Sequence, residues 1–257
     1  MMTTVEHNGI YFSVGDKTGT LIDMSNSSGD NNVDVFIPRF LPDGTEILSL
    51  GATFCRGCYK SITISDEIQT VSYGAFGHAD VEEVGWSSSC KTIPAACFFS
   101  SSIKKISNIE HVDSIGVEAF KNSNIEEIKW PSGCQTIPQH CFYLSCLKKI
   151  TNLDNVKTIQ DGAFSCCDFE SFSWPLKCNR VPRHCFCSCV QLAEIKFHNN
   201  VEFIENYAFE GAKIGRVDLS ELMFTRFSPY AFEDSTIGEI IRPYYIDEEE
   251  LEMMLFS

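Results

Sequence analysis

The apolar positions of this chain return as a block. Phenylalanine stands at Phe54, Phe76, Phe98, Phe120, Phe142, Phe164, Phe186, Phe209 and Phe232, in six steps of 22 residues followed by two of 23. Five positions before the Phe stands an aliphatic residue, Val71, Ile93, Ile115, Ile137, Ile159, Val181 or Ile204, replaced by Phe227 in the last copy. Immediately before it stands Ala or Cys: Ala75, Cys97, Ala119, Cys141, Ala163, Cys185, Ala208 and Ala231. After it come two apolar positions three apart, as in Ile103/Ile106, Ile125/Ile128, Leu147/Ile150 and Leu192/Ile195. The copy around Phe54 is degenerate, as terminal repeats often are. A second period of 44 overlies the first: Trp86, Trp130 and Trp174 obey it, as do Cys90, Cys134 and Cys178, and Ile93-Pro94, Ile137-Pro138 and Val181-Pro182.

One unit of this size cannot bury its own apolar face, but stacked units can, each column of like residues covering the next. Strand spacing predicts a rise of about 4.8 Å per coil, so nine coils would reach roughly 43 Å. Alternation locates the strand. In Glu127-Ile128-Lys129-Trp130, Ile128 and Trp130 share the inward face and Glu127 and Lys129 the outward one. Pro131 and Pro175 end their strands. The reading is one short strand per coil, consecutive strands forming a parallel sheet on one face, with the Ala-Phe or Cys-Phe segment opposite as a turn or short helical piece.

This pattern resembles the BspA-like leucine-rich repeats of bacterial surface antigens, whose repeat reads I-x-x-x-A-F-x-x-C-x-x-L-x-x-I-x-I-P. Ile115 to Phe120 and Ile159 to Phe164 carry its first half, and Val181 through Phe186, Cys189, Leu192 and Ile195 carry nearly all of it. The resemblance spans roughly 46–242 and implies a leucine-rich-repeat β solenoid that binds proteins. Most copies have one residue fewer between the Phe and the next aliphatic than the family pattern.

The ends fall out of phase. In residues 1–45, Gly9–Val14 and Val33–Pro38 read as strands around a polar stretch, Ser25 to Asn32, that reads as a flexible turn, so an N-terminal β cap is expected. Residues 243–257 are acidic at first and then carry Leu251, Met254 and Leu255 on one stripe. They read as a short helix capped by Asp247, with Glu250 at N3, that covers the last coil.

Charge narrows the partner. A net charge of −15 disfavours nucleic acid, whose phosphates need clustered Lys and Arg. No apolar run of membrane-spanning length occurs, so membrane insertion is not expected. The N-terminus lacks a secretory pattern and the thirteen cysteines are odd in number, which points to reduced thiols and a cytoplasmic compartment, whereas the family resemblance points to the cell surface.

The remaining chemistry is sparse. Parity places the three Trp in the core. Cys97, Cys141 and Cys185 lie two coils apart, roughly 9–10 Å, too far for a disulfide. Cys55-Arg-Gly-Cys58 has half-zinc or redox spacing but no second pair, so no metal or cofactor is expected. Cys166-Cys167 and Cys185, Cys187 and Cys189 are crowded enough to oxidise locally. His140-Cys141 and His184-Cys185 are neighbours whose side chains should point apart, which spoils a nucleophile–base pair. No catalytic residues are expected.

The outward strand face is the candidate recognition surface. One column reads Glu83, Lys105, Glu127, Lys149, Ser171, Glu194, Arg216 and Glu239, and a second begins Glu82, Lys104, Glu126 and Lys148. Opposite charges on adjacent strands attract, so the alternation fixes register. The adjoining column is varied: Ser107, Lys129, Thr151, Ser173, Lys196 and Asp218. The candidate contact face is therefore Lys105, Ser107, Glu127, Lys129, Lys149, Thr151, Ser173, Lys196, Arg216 and Asp218, offered to a protein partner by an adhesion module or, alternatively, by an intracellular scaffold or structural component of a larger assembly; a thiol redox or zinc-dependent protein centred on Cys55 and Cys58 is the third and least expected reading.

Overall fold

In a repeat chain the hydrogen-bond partner of each extended segment is its own copy one coil away. The computed structural model describes residues 2–15, 18–26, 32–53, 55, 57–244, 246, 247 and 249. The chain opens with β1 (Met2–His7), β2 (Ile10–Gly15), β3 (Thr20–Asn26) and β4 (Asp34–Ile37). From there short and longer strands alternate: β5 (Ser49–Leu50) and β6 (Cys58–Ile64), β7 (Thr70–Val71) and β8 (Asp80–Gly85), β9 (Thr92–Ile93) and β10 (Lys105–Ser107). Next come β11 (Ser114–Ile115) and β12 (Glu127–Lys129), β13 (Thr136–Ile137) and β14 (Lys149–Thr151), β15 (Thr158–Ile159) and β16 (Ser171–Ser173). The series ends with β17 (Arg180–Val181) and β18 (Leu192–Lys196), β19 (Phe203–Ile204) and β20 (Lys213–Asp218), β21 (Arg226–Phe227) and β22 (Thr236–Ile241).

The molecule is a parallel β solenoid with two strands per coil, not one. The longer strands stack as β4-β6-β8-β10, β12-β14 and β16-β18-β20-β22, and the short ones as β3-β5-β7, β9-β11, β13-β15 and β17-β19-β21. The register is in phase, with Ile115 beside Ile93 and Glu127 beside Lys149. The short column exists because the aliphatic pair before each Phe turn is extended, and the next residue donates to the preceding coil: Gly116 N–H reaches Ile93 O at 2.9 Å and Gln160 N–H reaches Ile137 O at 3.0 Å. In alternate coils that residue is Pro94, Pro138 or Pro182, which has no N–H to give. The short column is interrupted at those three interfaces, and the 44-residue period thereby becomes visible in the pairing.

The Phe segment is a turn, not a helix. Around Phe120 the N–H groups of Glu118, Phe120 and Asn122 donate to Gln139 O (3.1 Å), Cys141 O (2.9 Å) and Tyr143 O (2.7 Å) of the next coil. Those of Ala119, Lys121 and Ser123 donate three residues back within their own coil. This alternation needs left-handed backbone two residues before and after the Phe, as at Glu118 (φ 58°) and Asn122 (φ 54°), and it recurs at Ala96, Ser100, His140, Leu144, His184 and Ser188.

One apolar cluster runs from Ile10 to Ile246. At its centre the Phe rings stack from Phe76 to Phe232 with centroids 4.8 to 6.0 Å apart, each almost fully buried. Phe54 and part of the polar stretch expected to be a flexible turn, residues 27–31, lie outside the described residues. Ser25 and Asn26, from the same stretch, end β3 instead. At the N-terminus β1, β2 and β3 form an antiparallel meander. β3 then joins β5 and β4 joins β6 in parallel, so the N-terminal strands feed both columns.

The expected C-terminal helix over 243–257 is not among the described elements, and residues 245, 248 and 250–257 lie outside the described residues. After β22 the chain enters a turn, in which Ile246 N–H donates to Pro243 O at 3.3 Å and Arg242 donates to Ile246 O. The turn seats Ile246 against the core cluster, which a Pro243 start favours over further strand. No helix among the described residues is long and apolar enough to cross a membrane.

Candidate recognition face

On the longer strands every second side chain enters the core. Ile128 and Trp130 are buried, while Glu127 and Lys129 on β12 are exposed. Each Trp turns its Nε1–H back on its own coil: Trp86 donates to Cys90 O (3.1 Å), Trp130 to Cys134 O (2.9 Å) and Trp174 to Cys178 O (3.0 Å). A buried indole needs one acceptor, and the 44-residue spacing of Trp and Cys supplies it. The tryptophans are core residues, as their parity predicts.

All ten candidate contact residues lie on the outward side of β10, β12, β14, β16, β18 and β20. Eight are exposed, and Arg216 and Asp218 are partly covered. Two columns run in register. Lys105 faces Glu83, Glu127 faces Lys149, and Arg216 lies between Glu194 and Glu239. Beside them Ser107 faces Gly85, Lys129 faces Thr151, and Ser173, Lys196 and Asp218 stand in succession.

The opposite charges meet. Lys104 lies 2.7 Å from Glu82, Lys148 3.0 Å from Glu126 and Lys105 3.7 Å from Glu83. Arg216 lies 3.7 Å from both Glu194 and Glu239, and Lys196 3.5 Å from Glu194. Burial alone would raise the Asp218 carboxyl. Two hydrogen bonds from Ser220 (2.6 and 3.0 Å), with the Arg216 and Lys196 charges, outweigh it and hold the group below the usual carboxylate range. The face is a mixed-sign lattice in which Glu83, Lys105, Glu194, Arg216 and Glu239 of the long column are ion-paired with a neighbouring coil.

The family model for the BspA type leucine rich repeat region matches residues 42–146 and 113–239, in six copies. The chain belongs to the BspA-type leucine-rich repeat family. Among solved structures, a leucine rich cell surface protein from Faecalibacterium prausnitzii A2-165 is similar over 99% of this chain and 98% of its own, at 14% identity and a TM-score of 0.50. A leucine-rich repeat protein from Bacteroides ovatus covers 94% of this chain and 79% of its own, at 17% identity and a TM-score of 0.43. The pneumococcal vaccine antigen PcpA covers 93% and 85%, at 14% identity and a TM-score of 0.39. The search of curated proteins returned no match.

The cysteines of this BspA-type repeat chain behave as small core residues. All thirteen are unpaired. Cys97, Cys141 and Cys185 are fully buried, and burial holds their thiols well above the ordinary range. His140 and His184 remain partly exposed while Cys141 and Cys185 point inward, so neither neighbouring pair forms a dyad. Burial, with Asp80 and Cys58 adding to it, pushes the Cys55 thiol up, and a hydrogen bond to Asp80 pushes up Cys58. Neither has the depressed pKa of a reactive cysteine.

A pocket of 430 Å³ lies on the far side of the coil, lined mainly by polar groups that include the Arg180–Glu205 ion pair (2.5 Å). One cluster goes beyond the expected set. His184 and Cys187 of one coil meet Glu210 of the next, His184 Nδ1 lying 3.2 Å from Glu210 Oε2. Reading residues along the chain conceals this meeting, whereas aligning the coils on Phe186 and Phe209 places Cys187 directly beside Glu210.

Proposed function

We propose that this BspA-type repeat chain is a non-catalytic protein-binding module whose partner lies along the outward face of β10 to β20, against Ser107, Lys129, Thr151, Ser173, Lys196 and Asp218. The observation that carries the reading is the outward strand face, open to solvent over six strands that stack in three groups and varied in only one column. Solenoids offer extended surfaces of this kind to macromolecules. The alternating column beside it serves register, each exposed pair contributing about 0–1 kcal/mol. Nucleic acid is an unsuitable partner for a chain of net charge −15, and the binding requires no membrane insertion.

The proposed setting is adhesion at a cell surface, supported by family membership. A second setting, an intracellular scaffold, is supported by thirteen unpaired thiols, which suit a reducing compartment. Labelling intact source cells with an impermeant reagent separates the two: labelling of this protein favours adhesion, and labelling only after lysis favours the scaffold. For the face itself, a triple variant, Lys129→Glu, Thr151→Arg and Lys196→Glu, should abolish partner binding with the fold intact, while Glu127→Lys alone should leave it. Binding that survives the triple variant would move the site to another face.

A further inference from the structure

The turn around Phe186 differs from its equivalents in the donors it collects. His184 comes two residues before the Phe, Cys187 one after it, and Glu210 one after Phe209 in the next coil. Two coils earlier the same three positions hold His140, Tyr143 and Ser165, so the 44-residue duplication accounts for the histidine but not for the trio. His184 Nδ1 is 3.2 Å from Glu210 Oε2 and Cys187 Sγ is 3.6 Å from the same oxygen. The three donor atoms all lie within 4.8 Å of one another. A tetrahedral zinc ion bound by a nitrogen at about 2.05 Å, a thiolate sulfur at about 2.3 Å and a carboxylate oxygen at about 2.1 Å separates nitrogen from oxygen by about 3.4 Å and sulfur from oxygen by about 3.6 Å. The two spacings to Glu210 lie close to that geometry, and the third pair, His184 and Cys187, lies within 4.8 Å.

The donors are also held in place. His184 has left-handed backbone (φ 52°), its carbonyl accepts a hydrogen bond from Ser165 Oγ at 2.5 Å, and its ring stacks on Tyr207 with centroids 5.2 Å apart at 7°. Tyr207 stacks in turn on Tyr230 at 5.6 Å. Ser188 N–H donates to Glu210 O at 2.7 Å and ties the two coils together at the cluster. The field there favours a cation. Burial pushes the Cys187 thiol up, and Glu210 and Cys166 push it the same way. A bound divalent ion reverses that balance and expels the thiol proton to solvent.

We propose that His184, Cys187 and Glu210 form a three-ligand site for a divalent transition metal of the zinc class, with water as the fourth ligand. The site joins two consecutive coils on the turn side, away from the strand face. The test uses the full chain, reduced, stripped with a chelator and titrated with Co²⁺ alone. One equivalent should bind, with thiolate-to-cobalt charge transfer in the near ultraviolet and the intense visible bands of tetrahedral cobalt, and Zn²⁺ should displace it. Cys187→Ser should remove the charge-transfer band. His184→Gln and Glu210→Gln should each weaken binding about tenfold or more. A Cys55→Ser, Cys58→Ser double variant should keep both band and affinity.

Absence of stoichiometric binding by the unaltered chain overturns the proposal. So does a charge-transfer band that survives Cys187→Ser. Loss of the band in the Cys55, Cys58 variant would place the metal there instead. Should Cys187→Ser fail to fold, alkylation mapping of the unaltered chain decides: Zn²⁺ must protect Cys187 while Cys146 and Cys58 stay reactive, and equal modification of Cys187 with and without Zn²⁺ rejects the site.

Discussion

At the scale of single residues, the Phe column is where the sequence speaks most directly. Phe120 is fully buried between Phe98 and Phe142, its ring 5.3 and 5.4 Å from theirs and nearly parallel to both. Phe120→Ala should cost about 3–5 kcal/mol, read as a lower urea midpoint. An unchanged midpoint would mean that the column is not the core. The left-handed turn positions were not legible, because glycine, the usual marker, occupies only Gly74, Gly162 and Gly211 among them. Two glycines should respond differently to Ala. At Gly74 (φ 61°) an added Cβ would meet only the Ala96 carbonyl oxygen, at an ordinary contact of 4.0 Å, so only the backbone conformation is penalised, by roughly 1–2 kcal/mol. At Gly116 an added Cβ would sit 2.3 Å from Ala95 N, a backbone atom that cannot swing aside. Gly116→Ala should force the two coils apart and cost at least as much as other overpacking, about 1–3 kcal/mol, in the same urea assay.

Between residue and molecule stand the coils and their interfaces. Alternation correctly placed the longer strands, because Ile128 and Trp130 bracket one outward residue. The short strands were missed because β9, β11 and β13 are two residues long, below the length at which a period of two can be seen. Their interruption was nevertheless written in the sequence as Pro94, Pro138 and Pro182. Pro138→Ala restores a donor opposite the Ile115 carbonyl of the preceding coil. The new hydrogen bond contributes about 0.5–1.5 kcal/mol, and the freer unfolded chain offsets about 0.4–1 kcal/mol of it. Stability should therefore change by less than about 1 kcal/mol, while hydrogen exchange should find the amide at position 138 as protected as that of Gln160. Rapid exchange there would mean that something other than the missing N–H separates β11 from β13. The His184, Cys187 and Glu210 cluster escaped notice for a related reason: two of its members belong to one coil and the third to the next, and only the coil-to-coil register brings them together.

The whole molecule inherits a property from its repeats that no single coil displays. The register of the Phe, Trp and charge columns was legible because a column position must satisfy the same packing in every coil, whereas the ends, which pack against only one neighbour, carry no such pattern. Periodicity also multiplies the buried thiols. Burial holds Cys97, Cys141, Cys167 and Cys185 well above the ordinary range, and pushes Cys134, Cys178 and Cys189 up to about 12. A group whose folded pKa exceeds its unfolded value, about 8.5 for cysteine, stabilises fully below that pH. Its contribution declines as pH rises further, because only the unfolded chain releases the proton. Each such thiol removes about 1.4 kcal/mol per pH unit, so several together make the decline steep. On the acid side Asp66 is held low by the Ser88 N–H (2.8 Å), and its contribution, present above about pH 4, is lost as the carboxylate protonates. Asp66 is fully exposed, so that arm should be shallow. Urea unfolding in oxygen-free buffer should therefore give an asymmetric curve that falls sharply above about pH 9. The variant Cys97→Ala, Cys141→Ala, Cys185→Ala tests the cause, since Ala75, Ala119 and Ala163 already occupy that column in the intervening coils. Its alkaline slope should be shallower by about 4 kcal/mol per pH unit, three thiols' worth. Equal slopes would show that the three thiols ionise as readily in the folded chain as in the unfolded one, and that water reaches the column the Phe ladder is meant to keep dry.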